Sequence, residues 1–180
     1  PALNVPWSEA YARVYFPGFE AAVLPEVARF CDAPERRSRV IDVGCGDGLV
    51  LCYLASQFPG ITFVGVDARP EALVIAQQRL DLLGLRNVHL LERDAFVLGE
   101  AIDGAFDGAI LRNVLDDARE AWSAYLEARF DTTRKLRALR PLLTTNARVW
   151  VSLTPYPRGT PAFVARVRTD LAEAGFSVFS

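Results

Sequence analysis

Residues 40–48 read Val-Ile-Asp-Val-Gly-Cys-Gly-Asp-Gly, an apolar run broken by glycines at every second position. The segment from Arg39 to Val43 is too short for a helix and rich in β-branched residues, so it reads as a buried strand. Gly44, Gly46 and Gly48 then give a turn in which positive φ and close approach of a ligand to the backbone meet no Cβ. Residues 49–58 continue with helical apolar spacing. In an open parallel sheet, ligands bind beyond the carboxyl ends of the strands, beside this kind of first strand-to-helix turn.

Outward from this segment the pattern repeats. Strands are expected at 61–66, 87–91, 106–111 and 147–153, with a last one starting at Phe176. Between them lie a helix at 70–83 closed by Gly84, a long helical region at 117–143, and a helix at 162–174 that follows the Pro-rich loop TPYPRGTP. Upstream, a helix at 6–16 stacks Trp7, Tyr11 and Tyr15 on one face, and a second at 19–31 carries Val23, Leu24, Val27 and Phe30. Strands alternating with helices of this length make βαβ units, so the fold class is α/β: a doubly wound, mostly parallel sheet with helices on both faces. No composition shift marks a linker. The whole chain, 1–180, is read as one domain, with 1–36 as a helical lid or cap.

Composition narrows the partners. A hydrophobic content of 51% excludes a disordered chain. Twenty basic against 22 acidic residues leave a net charge of −2, which exerts no pull on phosphate backbones or anionic membranes, so nucleic acid is an unlikely partner. No apolar run approaches the roughly 20 residues that cross a bilayer, and no basic stretch followed by an apolar one opens the chain, so it reads as cytoplasmic. Cys31, Cys45 and Cys52 show no C-x-x-C spacing and are expected to be buried thiols, with no metal site. A first residue of Pro and the absence of Met point to a processed or excised piece. Oligomeric state is not legible.

A dinucleotide fingerprint G-x-G-x-x-G starting at Gly44 would need glycine at position 49, where Leu49 stands. Asp42, Gly44, Gly46 and Gly48 instead resemble the first motif of class I S-adenosylmethionine-dependent methyltransferases, an acidic residue two before a G-x-G-x-G loop. The resemblance implies S-adenosylmethionine as cofactor and S-adenosylhomocysteine as product, with the loop backbone against the amino acid portion. It also implies a Rossmann-like methyltransferase fold, whose usual C-terminal hairpin looks incomplete here. Asp67, at the end of the second strand and about twenty residues past the loop, is the expected acceptor for both ribose hydroxyls. Its plainer reading is a helix N-cap before Pro70. Glu92-Arg93-Asp94-Ala95-Phe96 resembles the segment whose Asp takes the adenine amino group, with Ala95 and Phe96 lining the base. Cys45, Ala68 and Leu111 complete the expected cofactor-binding set. His89 lies early in its strand, at the end opposite this site, and is taken as structural. Arg134, Lys135, Arg137 and Arg140 read as a solvated helix face beside Leu136, Leu139 and Leu143.

The segment Arg112-Asn113-Val114-Leu115-Asp116-Asp117 resembles the family's fourth motif. Enzymes of the family that methylate base or glutamine nitrogens often carry N-P-P-Y there, and this chain does not. Methyl transfer from a sulfonium asks the protein chiefly for alignment and a dry site. Asn113 and Asp116 are the candidate catalytic residues, Asp116 or Asp117 serving as a base where the acceptor needs one. Arg112, Asn113, Tyr156, Tyr11 and Tyr15 are the candidate substrate contacts, with turn, surface and packing roles as their alternatives. The expected function is methyl transfer from S-adenosylmethionine to an O, N or C atom of a small molecule. An RNA or protein methyltransferase, and a non-catalytic cofactor-binding module, stay open beside it.

Overall fold

The computed structural model describes residues 19–32, 38–94, 102, 104–112, 132–152 and 161–177. In chain order these form α1 (Phe19–Cys31), β1 (Arg39–Val43), α2 (Leu49–Gln57), β2 (Thr62–Asp67), α3 (Pro70–Leu83), β3 (Val88–Glu92) and β4 (Phe106–Arg112). Then follow α4 (Thr132–Leu139), a 3₁₀ turn (Arg140–Leu142), β5 (Leu143–Ser152) and α5 (Pro161–Glu173). The strands make one parallel sheet in the order β3-β2-β1-β4-β5. The order reverses at β1, so the first glycine turn stands at the topological switch point.

Strand alternation sorts side chains onto two faces. Ile41, Val43, Val64, Val66, Ala109 and Leu111 pack with Leu136 and Leu139 of α4 and Val167 and Leu171 of α5. Val40, Phe63 and Ile110 pack on the other face with Val27 of α1 and Val50, Leu51 and Leu54 of α2. Both faces are therefore covered, as the sequence expects, and β1 is almost wholly buried. All three cysteines are buried thiols. Among the described residues no helix is long and apolar enough to cross a membrane.

Side chains pin the amino ends of the strands. Asp107 Oδ2 accepts from Ser38 N and Oγ and from Arg39 N at 2.8–3.2 Å, tying the start of β1 to β4. Asn87 Nδ2 donates to the carbonyls of Ala55, Phe58 and Ile61, joining the end of α2 to the approach to β2.

The expected elements differ from the observed ones chiefly after residue 132. The helical region expected through Leu143 ends at Leu139, and β5 begins at Leu143 rather than Ala147. Pro141 has no N–H for an α-helical bond and sits in the 3₁₀ turn, after which β-branched Thr144 and Thr145 extend. The long strand is accommodated by an irregularity: Phe106 pairs with Leu143 and Gly108 with Arg148, leaving 144–147 opposite Asp107 alone. Phe176 and Ser177, where a last strand was expected to begin, are not in a strand. The expected helix at 6–16 lies outside the described residues.

Candidate functional site

The parity that builds the two cores also builds a site. Asp42 shares the α1/α2 face with Val40, and Arg112 shares it with Ile110, the residue opposite Asp42. Asp67 lies on the same face as Phe63, with Glu92 of β3 opposite it. Near the carboxyl edge this face thus presents Glu92, Asp67, Asp42 and Arg112, on four neighbouring strands.

The glycine turn lies across this edge. Gly44 and Cys45 both donate their N–H groups to the Val66 carbonyl, at 2.7 and 3.0 Å, which ties the turn to the end of β2. Gly44, Gly46 and Gly48 have φ of +74°, +59° and +74°, the left-handed region that other residues rarely adopt. A Cβ on Gly48 would stand 2.8 Å from the Ala76 Cβ, so this glycine lets the turn pack directly on α3. Above Gly46 the nearest atom a Cβ would meet is Arg69 Nη2, at 3.5 Å. Gly46 thus offers bare backbone next to a carboxylate, a cradle that a side chain would fill.

That carboxylate is Asp67, which is 6% exposed. Its Oδ2 accepts from Gly46 N–H at 2.9 Å, and its Oδ1 accepts from Arg69 N–H at 3.0 Å. The Arg69 side chain adds Nε to Oδ1 at 3.0 Å and Nη2 to Oδ2 at 3.3 Å. Arg69 is also the N-cap residue of α3. Arg69 belongs to none of the motifs in the sequence, and its one signal there is a cation two residues after a strand-end aspartate.

Asp42 is 3% exposed, and burial pushes its carboxyl up to about 6 from 3.8, with the Arg112 charge drawing it down and the Asp67 charge raising it further. Burial also pushes the Cys45 thiol well above the ordinary thiol range, so Cys45 takes part through its backbone and its packing rather than as a thiolate. Asp47, also buried, pairs with Arg79 of α3 at 3.0 Å. This second missed contact ties the glycine turn to α3. Its signal was the spacing Ala72, Ala76, Arg79, which falls on one helix face.

Among the remaining expected residues, Ala68 is exposed at the carboxyl edge. Asp94 follows β3 and is exposed; its neighbour Arg93 donates its N–H to the Asp67 carbonyl at 3.0 Å, holding this segment beside Asp67. The Leu111 side chain packs in the α4/α5 core, so only its backbone reaches the edge. His89 is exposed near the amino end of β3. Ala95, Phe96, Asn113, Asp116, Asp117, Tyr156, Trp7, Tyr11 and Tyr15 lie outside the described residues.

Residues 34–154 match the sequence model of a family described as a methyltransferase domain. The chain is similar to the release factor glutamine methyltransferase of Escherichia coli, 35% identical over 80 residues, 44% of this chain and 28% of that protein. It is also similar to a fatty-acid O-methyltransferase of Mycolicibacterium smegmatis, 34% identical over 115 residues, 61% of this chain and 37% of that protein. The chain thus spans about a third of the length of these curated relatives. The structure of a ribosomal protein L11 methylase from Lactobacillus delbrueckii superposes with a TM-score of 0.62 at 19% identity, over 87% of this chain and 69% of that one.

Proposed function

The chain belongs to the methyltransferase-domain family, of the class I S-adenosylmethionine-dependent kind, and from that premise we propose that it transfers a methyl group from S-adenosylmethionine to a small-molecule acceptor. The observation that carries the cofactor part is the bare backbone of Gly46 set against the buried Asp67 carboxylate at the switch point of the sheet.

The cofactor supplies an activated methyl on a sulfonium; the chain's residues bind, orient and exclude water. Gly44, Gly46 and Gly48 let the backbone approach the amino acid portion, and the buried Asp42 carboxylate stands at the base of the same turn. Asp67 takes the ribose hydroxyls, and Asp94 the adenine amino group, with Ala95 and Phe96 beside the base. The acceptor enters between the exit of β4 and the loop after β5, where Arg112 and Asn113 orient it, Tyr156 walls it, and Asp116 removes a proton where one must leave. Tyr11 and Tyr15 close over it as part of a lid formed by 1–36.

A small acceptor is favoured by the balanced charge and by Arg112-Asn113-Val114-Leu115 standing where enzymes that methylate base or glutamine nitrogens often carry N-P-P-Y. The similarity to a glutamine methyltransferase supports a protein acceptor as the second reading. A cytoplasmic setting belongs to the same proposal.

Calorimetry with S-adenosylmethionine, S-adenosylhomocysteine and NAD is the first test, and binding of the first two without the third is expected. NAD binding alone would overturn the reading. Asp67→Ala should weaken S-adenosylhomocysteine by roughly 1.5–3 kcal/mol, the scale of hydrogen bonds to a charged group. Mass-detected methylation of fatty acids, glutamine peptides and tRNA then separates the acceptor classes.

A further inference from the structure

The Asp67 carboxylate is saturated by its own chain. A carboxylate offers about four lone-pair sites. Two are taken by the backbone N–H groups of Gly46 and Arg69, which the glycine turn and the start of α3 hold in place. The other two are taken by Nε and Nη2 along one edge of the Arg69 guanidinium.

We propose that Arg69 is a latch on the cofactor site, its guanidinium edge holding the two positions on Asp67 that a vicinal ribose diol takes. The inference rests on the reading of Asp67 as the ribose acceptor. A second observation places the same group over the turn: Arg69 Nη2 is the nearest atom a Cβ on Gly46 would meet. The guanidinium therefore stands between the carboxylate proposed for the ribose and the glycine turn proposed for the amino acid portion.

The hydrogen-bond count at the carboxylate is conserved, because two N–H···O bonds give way to two O–H···O bonds, and the cost of opening is the ion pair. The Arg69 side chain is 24% exposed, so water already reaches the guanidinium that has to leave. The two backbone donors stay on Asp67 throughout and keep the carboxylate aimed. Such a latch multiplies the intrinsic affinity by the fraction of molecules in which it is open.

Stopped-flow and calorimetric binding of S-adenosylhomocysteine to wild type, Arg69→Ala and Arg69→Gln tests this, with thermal melts identifying the folded variants. Both variants are expected to bind about 5- to 10-fold more tightly and to associate faster, the scale set by releasing a partly exposed ion pair. In an Asp67→Asn background the same substitutions should bring no gain, because the latch then has no charge to hold. Unchanged or weaker binding by both folded variants overturns the latch and makes Arg69 a surface pair or a ligand contact. Failure of the underlying cofactor reading has a different signature, since neither wild type nor any variant then binds S-adenosylhomocysteine.

Discussion

At the residue scale, the buried Asp42 carboxyl carries a cost that the fold bears for the site. Its pKa of about 6 against an ordinary 3.8 corresponds to about 3 kcal/mol between its two protonation states. The folded state binds the proton more tightly than the unfolded chain, so the contribution to stability is complete below pH 3.8 and is lost as pH rises through about 6. Asp42→Asn removes that loss. Urea denaturation at pH 4 and pH 8 should show the variant gaining on wild type by about 1–3 kcal/mol at the higher pH, with little difference at the lower. An equal difference at both pH values would mean that Asp42 does not titrate in this window. On the proposed cofactor reading, the same variant should bind S-adenosylmethionine less well at pH 8, because it lacks the ionised carboxylate two residues before the turn proposed to receive the cofactor's ammonium end.

At the element scale, one close contact sets how the glycine turn meets α3, and another ties the far end of α2 to the approach to β2. Gly48→Ala places a methyl 2.8 Å from the Ala76 Cβ at a φ of +74°, so the glycine turn and α3 must separate. A strained backbone and an overpacked contact together cost about 2–4 kcal/mol. Chemical denaturation should show that loss together with weakened S-adenosylhomocysteine binding; a stable variant that binds normally would show that the close packing is dispensable. Asn87 works at the opposite end of the sheet. Its amide donates to three carbonyls at 3.0–3.2 Å, and Asn87→Ala leaves them without that donor, at a cost of about 1–3 kcal/mol. Cofactor affinity of the folded protein should not change, because the contact lies away from the carboxyl edge.

At the scale of the whole molecule, two apolar cores on opposite faces hold the sheet rigid, and the acidic groups of the site gather at its carboxyl edge on the α1/α2 face. A ligand seated there touches turns leaving several strands and so stabilises the folded state as a unit. At 100 times its dissociation constant such a ligand adds about 2.7 kcal/mol. For a chain of this size that is a rise in Tm of about 5–10 °C. Differential scanning fluorimetry should show the rise with S-adenosylhomocysteine and none with NAD; a flat response to both would mean that neither binds the folded chain and would count against the cofactor reading.

The sequence by itself determined the order of the described strands and helices from α1 to α5, the parallel sheet, the glycine turn at its switch point, and Asp42 and Asp67 as the acidic groups beside it. These are local properties: a β-branched run of five residues, alternating glycines that only a positive φ requires, and an acidic residue at a strand end. Pro141 was legible too, and read alone it would have ended α4 early; the apolar spacing of Leu136, Leu139 and Leu143 masked it, because Leu143 is buried as a strand residue instead. Tertiary structure alone decided which side chains meet across elements: Arg79 with Asp47 over 32 residues, Asp107 with Ser38 over 69, and Arg112 beside Asp42 through the β1–β4 register. It also decided that the Asp67 carboxylate is held by the Arg69 guanidinium and the Gly46 amide together. Spacing along a chain fixes which face a residue can occupy, whereas the partner it finds there depends on strands and helices that only the packed sheet brings side by side.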